Sequence, residues 1–441
     1  MGRKLKGRKA DGVAMTYPEA IQFLYGLRLF GAKFGLENTL KLAALAGNPQ
    51  DKLRFIHVAG TNGKGSTCAM LESIYRTTGL RTGLFTSPHL VSFRERIQVG
   101  RQLISENEVV RLVEKLQPLL AQFPKEQHPT FFEVITIMAL DFFAEKKCEL
   151  VIWETGLGGR LDATNIVTPL ASVITNIALD HQQWLGDTPG KIAFEKAGII
   201  KPGIPVTTAT DEPEALAVIK KIAAERNAPL TIVAEVNLPP EMAGAVSLAG
   251  EHQKRNAALA LATVDILQKQ IPVSKSQMMA GLKNVQWPGR LQLVERGGRK
   301  FLLDGAHNVA GVTALREAIG NSFASVKKTL VLGILEDKDW RPICEMLAPL
   351  ADTIITVAVS SNRTANPEKL ADICRTFNPR AEISAYGSLA EAVEKAPIGN
   401  LTVITGSLYL VGEALELLGC FPSATSERGL NEWSVIHSTK A

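Results

Sequence analysis

The chain has 441 residues, 46% of them hydrophobic and 21% charged; that is too long for one ordinary core and points to two domains, or one large domain with a partner. No apolar run approaches the roughly 18 residues that a membrane-spanning helix needs, and the polar, basic start has no apolar stretch behind it, which argues against a secretory signal. The formal net charge of +5 is already supplied by Arg3, Lys4, Lys6, Arg8 and Lys9, so the rest of the chain sums to zero and offers no basic groove for nucleic acid.

Residues 1–15 read as a flexible basic arm, with weak polyanion binding as the alternative. The body alternates apolar runs with amphipathic stretches, the pattern of an α/β fold on a largely parallel sheet. Strands are predicted at 54–59, 149–153, 171–177, 328–334, 352–359 and 401–405, and helices around 105–121, 130–146, 252–269, 366–376 and 408–418.

The first strand, RFIHVA, runs into Gly60-Thr61-Asn62-Gly63-Lys64-Gly65-Ser66, after which an amphipathic helix begins. Glycines at 60, 63 and 65 allow sharp turns that aim several N–H groups at one point. The helix N-terminus adds partial positive charge and Lys64 a full one. This is a cradle for nucleotide phosphates, although its spacing is not the ordinary Walker A.

Two more loops follow apolar strands, where open α/β sheets place their ligands. One begins at Glu154 and runs through Arg160, Leu161, Asp162 and Ala163; the other carries Asp180 and His181. Glu154 and His181 are candidate oxygen and nitrogen ligands for a divalent ion beside the phosphates, against the plainer reading of solvated loop residues. Thr188 and Pro189 open a helix ending at Gly198, with Lys196 in its last turn. There a lysine is favoured by the helix dipole alone, so its chemistry does not declare a role.

A Pro-Gly turn at 288–289 marks a domain boundary, giving 16–289 and 290–420 as two units. Residues 421–441 are polar and aperiodic and read as a loose tail. The cysteines Cys68, Cys148, Cys344, Cys374 and Cys420 are scattered, which fits reduced thiols in a cytoplasmic protein.

Taken together, the motifs closely resemble the folylpolyglutamate synthase and dihydrofolate synthase family of the Mur ligase superfamily. The resemblance rests on FGLENT (34–39), HVAGTNGKGST (57–67), TSPHL (86–90), FRERI (93–97), TFFEV (130–134), ETGLGGRLDATN (154–165), FEKAGIIK (194–201), HQKRNAALA (252–260), WPGRL (287–291), DGAHN (304–308) and TGSLYLVGE (405–413). It implies a P-loop-type parallel-sheet ATP-binding domain followed by a smaller, Rossmann-like α/β domain. It also implies a cytoplasmic, monomeric ligase that joins L-glutamate to dihydropteroate or a reduced folate through an acyl phosphate.

By the same resemblance, Gly60–Ser66 would hold the phosphates of ATP, with Asn256, Arg290 and Asp304 as further nucleotide contacts. One magnesium ion would sit on Ser87, Glu154 and His181, and a second on Lys196 carrying a carbamate made from carbon dioxide. The pterin side would draw on Arg28, Thr130, Phe132, Leu161, Asp162 and Ala163, although Phe132 also reads as a core residue. His307 is a candidate base for the glutamate amine and, with Ser407 and Tyr409, a candidate glutamate contact. The rivals are an amide ligase with another acceptor acid and a nucleotide-binding regulator without ligation. The basic arm lies outside the resemblance, and only 59 residues precede Gly60, too few for the nucleotide-sugar domain of the peptidoglycan ligases.

Overall fold

A computed structural model describes residues 15–30, 35–233, 238–424, 427 and 429–431. The basic arm lies outside the described residues apart from Met15.

The first sheet contains β1 (Phe55–Ala59), β2 (Thr82–Phe85), β3 (Ile97–Val99), β4 (Gln102–Leu103), β5 (Leu150–Glu154), β6 (Ala171–Ile174), β7 (Val206–Thr208) and β8 (Leu230–Ile232). Their spatial order is β4-β3-β2-β5-β1-β6-β7-β8. The strands from β2 to β8 in that order pair parallel, and β3 and β4 add an antiparallel edge. Central strands such as FIHVA and LVIWE are buried on both faces, as a parallel sheet covered by helices requires. Phe55, Val151 and Trp153 face one core, packed with helices Tyr17–Leu27, Glu106–Leu120 and Phe131–Glu145. Their neighbours Ile56, Leu150 and Ile152 face the other, with helices Lys64–Arg76 and Glu251–Ile266. This alternation of successive side chains is the two-residue period of a strand.

The second sheet contains β9 (Gln292–Arg296), β10 (Arg299–Leu303), β11 (Lys328–Leu332), β12 (Thr353–Val357), β13 (Glu382–Tyr386) and β14 (Leu401–Thr405), in the order β13-β12-β11-β14-β10-β9. Only β9 runs antiparallel to its neighbour. It too has a core on each face. The chain is therefore the expected α/β fold: a large parallel-rich sheet followed by a second, smaller one.

Two expectations need correction. The strand predicted over 171–177 ends at Ile174. Beyond it Thr175 and Asn176 turn onto the phosphate loop, where the Asn176 carbonyl accepts from Thr61 N at 2.8 Å and Thr175 Oγ1 donates to the Asn62 carbonyl at 2.6 Å. Within the stretch 421–441, read as a loose tail, Pro422 and Ser423 are exposed but Glu427, Leu430 and Asn431 are buried. Glu427 accepts from Ser92 and Phe93, and Asn431 bonds Arg96 and His89. Periodicity missed this because two of these residues are buried by hydrogen bonds rather than by an apolar face.

Candidate functional site

The loops leaving the carboxyl ends of β1, β2, β5 and β6 converge with those of the second sheet around one cavity of about 830 Å³. It lies where open α/β sheets bind ligands.

At its centre the loop after β1 bends tightly. Gly60 has φ 147°, and a Cβ there would sit 1.8 Å from Thr175 Oγ1, so no other residue fits without moving Thr175. Gly63, in the left-handed region at φ 83°, is the N-cap of helix Lys64–Arg76. Lys64 Nζ folds back onto the carbonyls of Gly60 and Thr61 at 3.0 and 3.1 Å. Thr61, Asn62, Gly65 and Ser66 line the same cavity, giving a nest of N–H groups at a helix N-terminus.

Glu154 ends β5 and is buried; its Oε2 accepts from Ser87 N at 3.3 Å. Burial pushes its carboxyl up to about 7, against the pull of Lys64, the Ser87 N–H, Arg290 and Arg96. His181 is not at a strand end but seven residues past β6, in the left-handed region. Burial lowers it to about 4, with Asp180 opposing, which keeps a neutral imidazole able to donate its lone pair. Among the described residues no cluster of three or more His, Cys, Asp or Glu side chains forms a metal cage by itself. A hydroxyl, a carboxylate and an imidazole beside a phosphate loop do fit magnesium, which takes few protein ligands and completes its shell with phosphate and water. A cation would also favour the ionised form of buried Glu154.

Lys196 closes helix Pro189–Lys196 and is buried, its Nζ 2.8 Å from the Gly60 carbonyl. Burial, then the nearby Lys64, lower its ammonium to about 7. A substantial share of free amine therefore exists at neutral pH, and only the free amine attacks carbon dioxide.

The second sheet meets this site through DGAHN. Asn308 Nδ2 bonds Asp180 Oδ2 at 2.9 Å and Asn62 Oδ1 at 3.1 Å. His307 Nδ1 faces the Gly305 carbonyl at 2.8 Å, and its Nε2 lies 3.6 Å from Asp180 Oδ2. Lys338 Nζ lies 2.7 Å from Asp180 Oδ1. Burial alone would raise the Asp180 carboxyl, but His307, His181 and Lys338 hold it well below the usual carboxylate range. Asp180 and Lys338 were missed as site residues; the aspartate directly before a candidate ligand histidine was the available signal.

The other expected nucleotide contacts reach the cavity wall. Asn256 packs against the loop so closely that a Cβ on Gly63 would come within 2.5 Å of its Oδ1. Arg290 donates to the Gly289 carbonyl at 2.9 Å, while both Asp304 oxygens accept backbone N–H groups, from Leu291 and Ala306 at 2.9 Å. Asp304 thus holds the backbone at Leu291 and Ala306 as well as lining the site.

Arg28, Thr130, Phe132, Leu161, Asp162 and Ala163 line the same cavity. Thr130 caps helix Phe131–Glu145 in a reciprocal box with Glu133. Phe132 packs on the core beside Phe85 and also lines the cavity. Asp162 is committed to its own loop, accepting from Gly156 N, Leu157 N and Thr164. Ser407 caps helix Leu408–Leu417 through Tyr409 N, and the Tyr409 hydroxyl accepts from Arg363 at 3.3 Å. Arg96, quoted only as part of FRERI, emerges as a buried wall residue bonded to Ser87.

The chain is similar along most of its length to proteins of known activity. Residues 58–264 match the Mur ligase middle domain and residues 289–408 the Mur ligase glutamate ligase domain. The dihydrofolate synthase/folylpolyglutamate synthase of Bacillus subtilis is 37% identical over 90% of this chain and 98% of its own length. Among solved structures, Mycobacterium tuberculosis folylpolyglutamate synthase, complexed with ADP and AMPPCP, superposes with a TM-score of 0.84 at 30% identity, covering 92% of this chain and all of that one. E. coli FolC in complex with DHPP and ADP gives 0.79 at 29% identity, covering 92% of this chain and 98% of that one. With two matching domain models and a relative of more than one-third identity along nearly its whole length, the chain belongs to the folylpolyglutamate synthase and dihydrofolate synthase family of Mur ligases.

Proposed function

We propose that this enzyme is an ATP-dependent ligase that adds L-glutamate both to dihydropteroate and to reduced, polyglutamylated folates. The observation that carries the reading is the juxtaposition, in one cavity, of the Gly60–Ser66 nest, the Glu154–Ser87 pair and the Asp180–His307 contact between the two sheets. The B. subtilis relative carries both activities in its name, and the E. coli relative was solved with DHPP and ADP.

In this reading the nest and Lys64 hold the β- and γ-phosphates of ATP, while Asn256, Arg290 and Asp304 line its path. Lys64 swings from its loop carbonyls to the phosphates when nucleotide enters. Ser87, Glu154 and His181 would hold one magnesium ion and Lys196, as a carbamate, a second; such ions supply charge neutralisation at a transferred phosphoryl group. The acid lies along Phe132, Leu161 and Ala163, its pterin against the Phe132 ring, with Arg28, Thr130 and Asp162 at the walls.

A carboxylate oxygen of the acid attacks the γ-phosphorus, ADP leaves, and an acyl phosphate forms. The glutamate amine, positioned by Ser407 and Tyr409, loses a proton to His307 Nε2 and attacks the acyl carbon, expelling phosphate. Asp180 steadies the resulting imidazolium. The two units, 16–289 and 290–420, close over the site and exclude water that would hydrolyse the acyl phosphate. Among the described residues no helix is long and apolar enough to cross a membrane. We take the enzyme to be a cytoplasmic monomer, which its free cysteines suit.

The test is a product assay with ATP, labelled glutamate and either dihydropteroate or tetrahydrofolate. Glutamylation of both acids is expected. Glutamylation of one alone removes the dual reading, and of neither removes the substrate class.

A further inference from the structure

The stretch holding Glu427, Leu430 and Asn431 follows the whole second unit in sequence, yet it packs on the first. Leu430 belongs to the same core as Leu24, Phe93 and Phe131. Gly429 lies so near the Tyr25 ring that a Cβ would come within 2.6 Å of it. Glu427 Oε2 accepts from Ser92 Oγ at 2.9 Å and Phe93 N at 2.6 Å, which secures the turn that carries Arg96.

The contacts then run in a closed circuit. His89 Nε2 donates to the Glu427 carbonyl at 3.2 Å, leaving Nδ1 to accept from Arg96 Nε at 2.9 Å. Asn431 Oδ1 accepts from Arg96 Nη2 at 2.5 Å, and Asn431 Nδ2 donates to the His89 carbonyl at 2.9 Å. The remaining arm of the guanidinium, Nη1, donates to Ser87 Oγ at 2.7 Å. Its central carbon lies 5.6 Å from the Phe131 ring. All these partners are neutral. Glu95 and Glu154 are near enough to act on the guanidinium, but among the described residues no carboxylate is hydrogen-bonded to it, so it can still gain from a directly bound anion. Arg96, Leu430 and Asn431 all line the cavity, as do Thr130 and Phe132.

We infer that the chain's C-terminal stretch completes the acid-binding half of the cleft, and that Asn431 is a positioning residue that fixes Arg96 toward the carboxylate of the incoming acid. A planar guanidinium held at three corners keeps its fork in one orientation, which a carboxylate needs and a free arginine does not provide. The stretch also follows the second unit back onto the first, at His89, whose neighbour Leu90 lies against Gly289 of the 288–289 turn.

The inference rests on the ligase reading, so glutamylation of dihydropteroate by the wild-type enzyme is measured first; its absence sinks that reading and leaves this one without a substrate. With it established, dihydropteroate and AMPPCP binding are titrated on Asn431→Ala, Arg96→Met and the double variant, with melting temperature as a control for folding. Loss of one hydrogen bond to a charged group predicts about tenfold weaker dihydropteroate binding in Asn431→Ala, with AMPPCP affinity unchanged. In the Arg96→Met background the same substitution should cost nothing further, because its effect passes through Arg96. Unchanged dihydropteroate affinity in Asn431→Ala, or an equal loss in both backgrounds, overturns the assignment. If Asn431→Ala proves poorly folded, Asn431→Ser, which is smaller and keeps a polar group, gives the same comparison.

Discussion

Asp180, on the loop after β6, and Lys338, on the loop after β11, meet at 2.7 Å across the two halves of the protein. Both side chains are about nine-tenths buried, and Asn308 and His307 reach the same carboxylate from the second sheet. Removing one partner of a buried pair leaves an uncompensated charge. Asp180→Asn should therefore lower kcat at least about tenfold through loss of the closed arrangement, with ATP affinity little changed. A double-mutant cycle with Lys338→Met checks this. Independent, additive effects on kcat would mean that the two residues do not act as a latch.

Lys64 donates to two carbonyls of its own loop, so its removal perturbs that loop locally and leaves the two sheets and their cores in place. Lys64→Ala is expected to reduce ATP-dependent phosphate release by about a hundredfold or more, as loss of a phosphate-binding cation does, while the melting temperature stays within a few degrees. Retained turnover would remove the loop from the phosphate-binding role.

The Lys196 ammonium, lowered to about 7 by burial and Lys64, sets the pH dependence of carbamate formation. Below pH 7 the amine is increasingly protonated and cannot add carbon dioxide; above it the free amine dominates. Enzyme depleted of carbon dioxide should regain activity on adding bicarbonate at pH 8 and regain less at pH 6. Lys196→Ala should be impaired and insensitive to bicarbonate, with partial recovery in short carboxylic acids. Full activity in that variant would exclude the carbamate.

His57 tests the pH dependence of stability away from the reaction. It is fully buried on β1, bonded to Thr164 Oγ1 at 2.9 Å, and burial lowers its pKa from 6.5 to about 3. Between those values the unfolded chain binds a proton that the folded one refuses. The stabilisation from neutral His57 is thus complete above pH 6.5 and is lost progressively as pH falls toward 3. Urea unfolding at pH 7 and pH 5 should show a smaller loss for His57→Gln than for the wild type. An identical loss in both would contradict the assignment.

Much of this was legible in the sequence for identifiable reasons. The phosphate loop declared itself because glycines at 60, 63 and 65 meet contacts no side chain tolerates, such as Thr175 Oγ1 at Gly60 and Trp287 at Gly65. The buried strands were visible because parallel strands covered on both faces are continuous apolar runs. Short or half-buried strands such as β7, β8 and β13 were not, since they carry no such run. The sequence could not reveal that Asp180 faces Lys338, or that Asn431 bonds Arg96, because neither pair shares a periodicity and each depends on how distant loops meet. Asp162 illustrates the converse: its motif drew attention, while its carboxylate is occupied in holding residues 156–164 in shape.

The central claim is that ATP activates the organic acid before the amine arrives. It is tested most directly by following oxygen: dihydropteroate bearing 18O in its carboxylate is glutamylated with unlabelled ATP, and the released phosphate is analysed by mass spectrometry. An acyl phosphate requires the acid's attacking oxygen to leave with the phosphate, so one labelled oxygen should appear in phosphate for each amide formed. Amide formation with unlabelled phosphate would contradict the account.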